Sequence, residues 1–121
     1  DERRTRTEQP RQKNLSAGPV ARKICRMCDD QIRPASSICW AAERLQQAGA
    51  KEIYVAATHG VLCGPAIDRL SSAPIKELIL TDTIPLRPDQ MLPKIRVQSV
   101  SELLGEAIKR IHLNKSVSAL F

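Results

Sequence analysis

An open parallel α/β sheet flanked by helices is the fold class this sequence predicts. Short β-rich apolar runs alternate with stretches of helical period, and the runs near Ile53 and Leu78 are apolar almost without interruption, as parallel strands covered on both faces are. Polar turns built on Asp, Thr, Gly and Pro stand between the runs.

Residues 1 to about 22 are polar and basic and lack apolar period, so they are expected to form a flexible arm ahead of a single domain over 23–121. Lys23 to Cys28 predicts a first strand, ended by an acidic turn at Asp29-Asp30. Ser36 or Ser37 is expected to cap a helix over 38–48, with Ile38, Ala41, Ala42, Leu45 and Ala48 on one face and a stop at Gly49. Ile53–Ala57 predicts the second strand, closed by Thr58-His59-Gly60, and a helix over 64–70 follows. Glu77–Leu80 predicts a third strand ending at Thr81-Asp82-Thr83; after a proline-rich loop, Ile95–Val100 predicts a fourth. Ser101 is expected to cap the last helix, which places Leu103, Leu104, Ala107, Ile108 and Ile111 on one face.

The 121 residues suit one ordinary domain. Forty-two per cent hydrophobic and 26% charged residues are globular values. No apolar run approaches the ~20 residues that cross a bilayer, so a membrane protein is disfavoured and a cytoplasmic origin is expected. The chain opens at Asp1-Glu2 without a methionine, which reads as a piece of a longer polypeptide. A formal charge of +6 suits an anionic partner. Only 2% of residues are aromatic, too few for the stacking platforms of single-strand binders, so nucleic acid is disfavoured. The four cysteines include one C-x-x-C pair, Cys25 and Cys28; without a second pair or nearby histidines they read as ordinary buried thiols, and no metal site is assigned.

In open parallel sheets ligands bind beyond the carboxyl ends of the strands. Three segments qualify: residues 29–37, 58–60 and 81–85. Asp29-Asp30 ahead of a helix N-terminus suits sugar hydroxyls or a divalent metal beside an anion cradle. The same pair also suits a plain acidic turn capping a helix.

Several segments, in order, resemble the ribose-phosphate diphosphokinases, or PRPP synthetases. They are Asp29-Asp30-Gln31-Ile32, Gly49-Ala50-Lys51-Glu52-Ile53-Tyr54, Ala57-Thr58-His59-Gly60-Val61, Gly64-Pro65-Ala66, Thr81-Asp82-Thr83-Ile84-Pro85, Glu106 to His112 and Ser116 to Phe121. Asp1 to Arg6 also resembles the family's D-K-R-R-P-R catalytic loop.

The resemblance implies the C-terminal half of such an enzyme. It also implies a type I phosphoribosyltransferase-like sheet and transfer of diphosphate from Mg²⁺-ATP to ribose 5-phosphate, giving PRPP and AMP. ATP would be held through a preceding half. Assembly is expected as a homo-oligomer, or as a hetero-oligomer with a full-length synthetase.

By resemblance Asp29 and Asp30 bind ribose hydroxyls, and Arg33, Pro34, Ala35, Ser36 and Ser37 occupy the 5-phosphate loop. Arg4 matches a catalytic arginine, while Ser116, Ser118 and Phe121 match an allosteric phosphate or ADP site. His59 is expected to line the site rather than act as a base. The loop departs from the family's D-T-G-G-T: Pro34 removes an N–H, and the missing glycines restrict positive φ. Glu2 stands where the family has lysine and would repel phosphate. The chain is therefore expected to be inactive alone; the alternative is a non-catalytic subunit associated with true synthetases.

Overall fold

The computed structural model describes residues 19–121. Four strands, β1 (Ile24–Ile32), β2 (Glu52–Gly60), β3 (Glu77–Thr81) and β4 (Ile95–Gln98), form one sheet in the order β1-β2-β3-β4. All three pairings are parallel, with Met27 opposite Val55, Val55 opposite Leu78, and Leu80 opposite Val97. The fold class expected from the alternation of runs is the one observed.

Helix α1 (Ser36–Gln47) joins β1 to β2 and α2 (Ala66–Ser72) joins β2 to β3. Successive right-handed crossovers between neighbouring parallel strands leave both helices on one side of the sheet. There Ile38, Ala42 and Leu45 of α1 and Ala66 and Leu70 of α2 meet Ile53, Val55, Leu78, Leu80 and Ile95 in a single core. Leu70, Leu78 and Leu80 are fully enclosed. Beyond α1, Gly49 takes φ 91, a conformation open to glycine at little cost, and Arg22 N–H donates to its carbonyl at 2.8 Å. Val20 packs against the core, so the last residues assigned to the arm belong to the folded body. Lys94 Nζ donates to the carbonyls of Leu70 and Ala73 at 2.7 and 3.0 Å, satisfying the C-terminal end of α2 with a cation, as the helix dipole favours.

Several local expectations are corrected. Asp29 and Asp30 do not form a turn: β1 runs through them to Ile32, with Asp29 opposite Ala57, because β2 is long enough to keep pairing as far as Gly60. Thr58-His59-Gly60 is likewise strand. Ser36 and Ser37 lie inside the first turn of α1 and do not cap it; Ala35 holds the cap position, without a side-chain hydrogen bond. Helix α2 begins at Ala66 rather than Gly64, after a tight turn through Leu62 and Gly64, both at positive φ. Strand β4 ends at Gln98, and Val100, not Ser101, precedes the last helix, α3 (Ser101–His112). Cys28 and Cys63 are exposed, leaving only Cys39 as a buried thiol.

Within residues 19–121 the sheet is covered on one face only. Among the described residues α1 and α2 shield one side; the other holds a shallow depression lined by strand residues alone, including Arg26, Cys28, Tyr54, Ala56 and Ile79. Helix α3 does not fill it. The apolar stripe expected along α3 exists, but Leu104, Ile108 and Ile111 are 55%, 68% and 65% exposed, so the stripe has no partner within residues 19–121.

Candidate ligand site at the carboxyl edge of the sheet

Because all strands run one way, their carboxyl ends share one edge, and the three segments nominated from the sequence meet there. His59 Nδ1 lies 2.8 Å from the Thr83 hydroxyl, joining the end of β2 to the turn after β3. The hydroxyls of Thr81 and Thr83 both donate to the Thr58 carbonyl. The ring's tautomer sets which of Nδ1 and the Thr83 hydroxyl donates, and Nε2 is left as the ring's other polar atom.

Across the edge Gln31 of β1 is opposite His59. Asp30 is held below the ordinary carboxylate value, first by the hydrogen-bonding side chain of Asp29 and then by the Gln31 N–H, with a smaller pull from the charge of His59. Both carboxylates are exposed, and each accepts from the next backbone N–H: Asp29 from Asp30 and Asp30 from Gln31, both at 2.8 Å.

Next to this edge a cleft of about 270 Å³ is lined by residues 29 to 38 alone. The cleft therefore gathers Asp29, Asp30, Arg33, Pro34, Ala35, Ser36 and Ser37, every position assigned to sugar hydroxyls or phosphate.

The loop between β1 and α1 is held from outside. Arg69 of α2 donates to the Pro34 carbonyl at 2.9 Å, and the Cys63 N–H donates to the Arg33 carbonyl at 3.0 Å. Ala35 adopts φ 62, a left-handed conformation, with its methyl buried. Missing glycine has thus not prevented positive φ at this position; packing enforces it on alanine, at a cost of about 1 kcal/mol. No side chain caps α1, so the N–H groups of its first turn face the cleft region without a side-chain partner.

The other assigned residues lie elsewhere. Ser116 offers its carbonyl to Arg110 at 3.2 Å, Ser118 opens a short 3-10 turn (Ser118–Leu120), and Phe121 is 92% exposed. Arg4 lies outside the described residues. Sequence reasoning missed Arg69, which acts across 35 positions of chain and leaves no local signal.

Comparison with known proteins now adds to this geometry. Residues 5–121 match the model of the phosphoribosyl synthetase-associated domain. The chain belongs to that family. A ribose-phosphate pyrophosphokinase of Rhodopirellula baltica is 53% identical over all 121 residues, which are 38% of that protein. One of Caldanaerobacter subterraneus subsp. tengcongensis is 53% identical over 104 residues, 86% of this chain and 33% of that protein. A crystal structure of phosphoribosylpyrophosphate synthetase from Mycobacterium smegmatis superposes with a TM-score of 0.79 at 38% identity, over 81% of this chain and 33% of that one. This family member thus spans about a third of the length of the curated relatives it matches, and among its described residues no helix is long and apolar enough to cross a membrane.

Proposed function

We propose that this chain is the C-terminal, sugar-phosphate-binding part of a ribose-phosphate diphosphokinase polypeptide, and that alone it does not turn over. The carrying observation is the single cleft that collects Asp29 and Asp30 with residues 33 to 37 at the carboxyl edge of a parallel sheet. Carboxylates are acceptors for the ribose hydroxyls. The uncapped start of α1, the Ser36 and Ser37 hydroxyls and the Arg33 guanidinium supply donors and positive charge for the 5-phosphate.

Diphosphate transfer from ATP needs positioned phosphates and neutralised charge, and few protein groups beyond that. Mg²⁺ is ordinarily held through one or two carboxylates plus substrate oxygens, and the adjacent Asp29 and Asp30 fit that mode. Among the described residues no three acidic, histidine or cysteine side chains gather, so a cage made by residues 19–121 alone does not fit. The ATP site belongs to the remaining polypeptide in this reading, as does any contribution of Arg4. A cytoplasmic setting and assembly into an oligomer, where Ser116, Ser118 and Phe121 meet a neighbouring subunit around phosphate or ADP, belong to the same reading.

A second reading is a non-catalytic subunit associated with true synthetases. It is favoured by Pro34, which has no N–H to give the phosphate.

Isothermal titration with ribose 5-phosphate and Mg²⁺ separates the two. Millimolar or tighter binding supports the first reading; no heat supports the second. Converting the loop with Arg33→Asp, Pro34→Thr, Ala35→Gly and Ser36→Gly is expected to raise affinity for the sugar phosphate without producing turnover. An affinity unchanged by this repair refutes the assignment of residues 33–37 to the phosphate.

A further inference from the structure

Among the polar side chains at the carboxyl edge of the sheet, His59 is exposed yet held in one orientation. The Thr83 hydroxyl oxygen stands 2.8 Å from its Nδ1, 3.2 Å from the Thr58 carbonyl and 3.2 Å from the Thr81 hydroxyl. Joining β2 to the segment after β3 does not require the ring: the two strands already pair through Ala57 and Leu80, and the Thr81 hydroxyl already donates to the Thr58 carbonyl. An exposed hydrogen bond adds little stability, and fixing an exposed ring costs rotamer freedom. The effect of the Thr83 contact is to set the position of Nε2, and within residues 19–121 no group hydrogen-bonds that atom.

Resting on the sugar-phosphate reading of the cleft, we infer that His59 is a further ligand-contacting residue: its Nε2 shares a hydrogen bond with a sugar hydroxyl of ribose 5-phosphate, and Thr83 orients the ring. Position selects the hydroxyl end of the ligand. His59 is opposite Gln31, which lines the cleft with Asp29 and Asp30, and its charge reaches Asp30. Residues 33–37, assigned to the phosphate, follow the end of β1. Chemistry selects the hydroxyl as well. A hydroxyl both donates and accepts, so it pairs with Nε2 in either tautomer of the ring, whereas a phosphate oxygen pairs only when Nε2 carries a proton. A ring held from behind by a neighbouring hydroxyl meets a ligand without reorganising, which is how supported binding groups gain affinity.

Two substitutions separate the ring's atoms, since asparagine carries a polar atom near the position of Nδ1 and glutamine one near that of Nε2. Affinity for ribose 5-phosphate with Mg²⁺ is measured by isothermal titration, and stability by urea denaturation. His59→Asn, which keeps a partner for Thr83, is expected to hold native stability but to bind at least about fivefold more weakly, the worth of one hydrogen bond. His59→Gln, which gives up that partner, is expected to bind more tightly than His59→Asn. In the native chain, nitrogen NMR of the imidazole rings is expected to show Nε2 of His59 shifting as the sugar phosphate saturates, with His112, the other histidine, unmoved. A purely structural ring reverses the order: His59→Asn then binds as the native chain does, a result that overturns the inference and leaves the functional reading intact. Unmoved His59 signals at saturation overturn it in the same way. A native chain that takes up no ribose 5-phosphate overturns the functional reading and this inference with it.

Discussion

Asp82 and Ser99 are joined by a 2.7 Å hydrogen bond that crosses from the turn after β3 to the end of β4, and the other Asp82 oxygen takes the Val100 N–H. These two donors, the Ser99 hydroxyl first, hold the Asp82 carboxyl below its ordinary value of 3.8. A carboxylate depressed in the folded state stabilises fully above its unfolded value, and that contribution disappears as pH falls through the lower folded value. Protection of the Ser101 and Leu104 amides from exchange, taken relative to their intrinsic rates at each pH, is therefore expected to fall in the native chain only below about pH 3.8. In Asp82→Ala that protection is expected to be reduced already at pH 7. Equal exchange in the two proteins at pH 7 removes the anchor role.

Gln90 is the buried polar side chain of the core, and it bridges two backbone groups: Nε2 donates to the Leu62 carbonyl at 3.3 Å and Oε1 accepts from the Arg87 N–H at 2.9 Å. Gln90→Leu keeps the volume and orphans both, costing about 2 kcal/mol or more. Urea denaturation reads the loss as a lower midpoint with an unchanged slope.

A Cβ built on Gly60 falls 2.6 Å from Leu80 Cδ1, and Leu80 is fully buried. Gly60→Ala then forces a core side chain to move, with an expected cost of about 1–3 kcal/mol. In Gly60→Ala/Leu80→Val, which makes room, the loss from the first change is expected to shrink; additive costs in the double-mutant cycle refute the clash.

Arg69 spans α2 to the loop by its bond to the Pro34 carbonyl. Arg69→Met is expected to cost about 1 kcal/mol of stability, since the bond is exposed. In the repaired-loop variant it is expected to weaken ribose 5-phosphate binding severalfold, measured by titration. Loss of stability without change in binding shows that the loop does not need this tether.

The parallel α/β class, four strands and three helices were legible because their signals are local: β-branched runs, helical period in 38–48 and 101–112, and Gly49 as a stop. Boundaries were missed where pairing outruns composition. Asp29 and Asp30 look like a turn, but β2 continues to Gly60 and offers them ladder partners, so they remain strand. Serines ahead of α1 and α3 look like caps, yet the backbone enters each helix one residue earlier.

By itself the sequence determined the architecture, the edge where a ligand belongs and the family, since periodicity and contiguous motifs carry these. Only the tertiary structure decided that Ala35 bears a left-handed turn without glycine, that Arg69 tethers the loop from 35 residues away, and that α3 leaves its apolar face open. The physical reason is common to all three. Each depends on which distant groups share a surface, and side-chain packing over long chain separation leaves no periodic trace in the residues it joins.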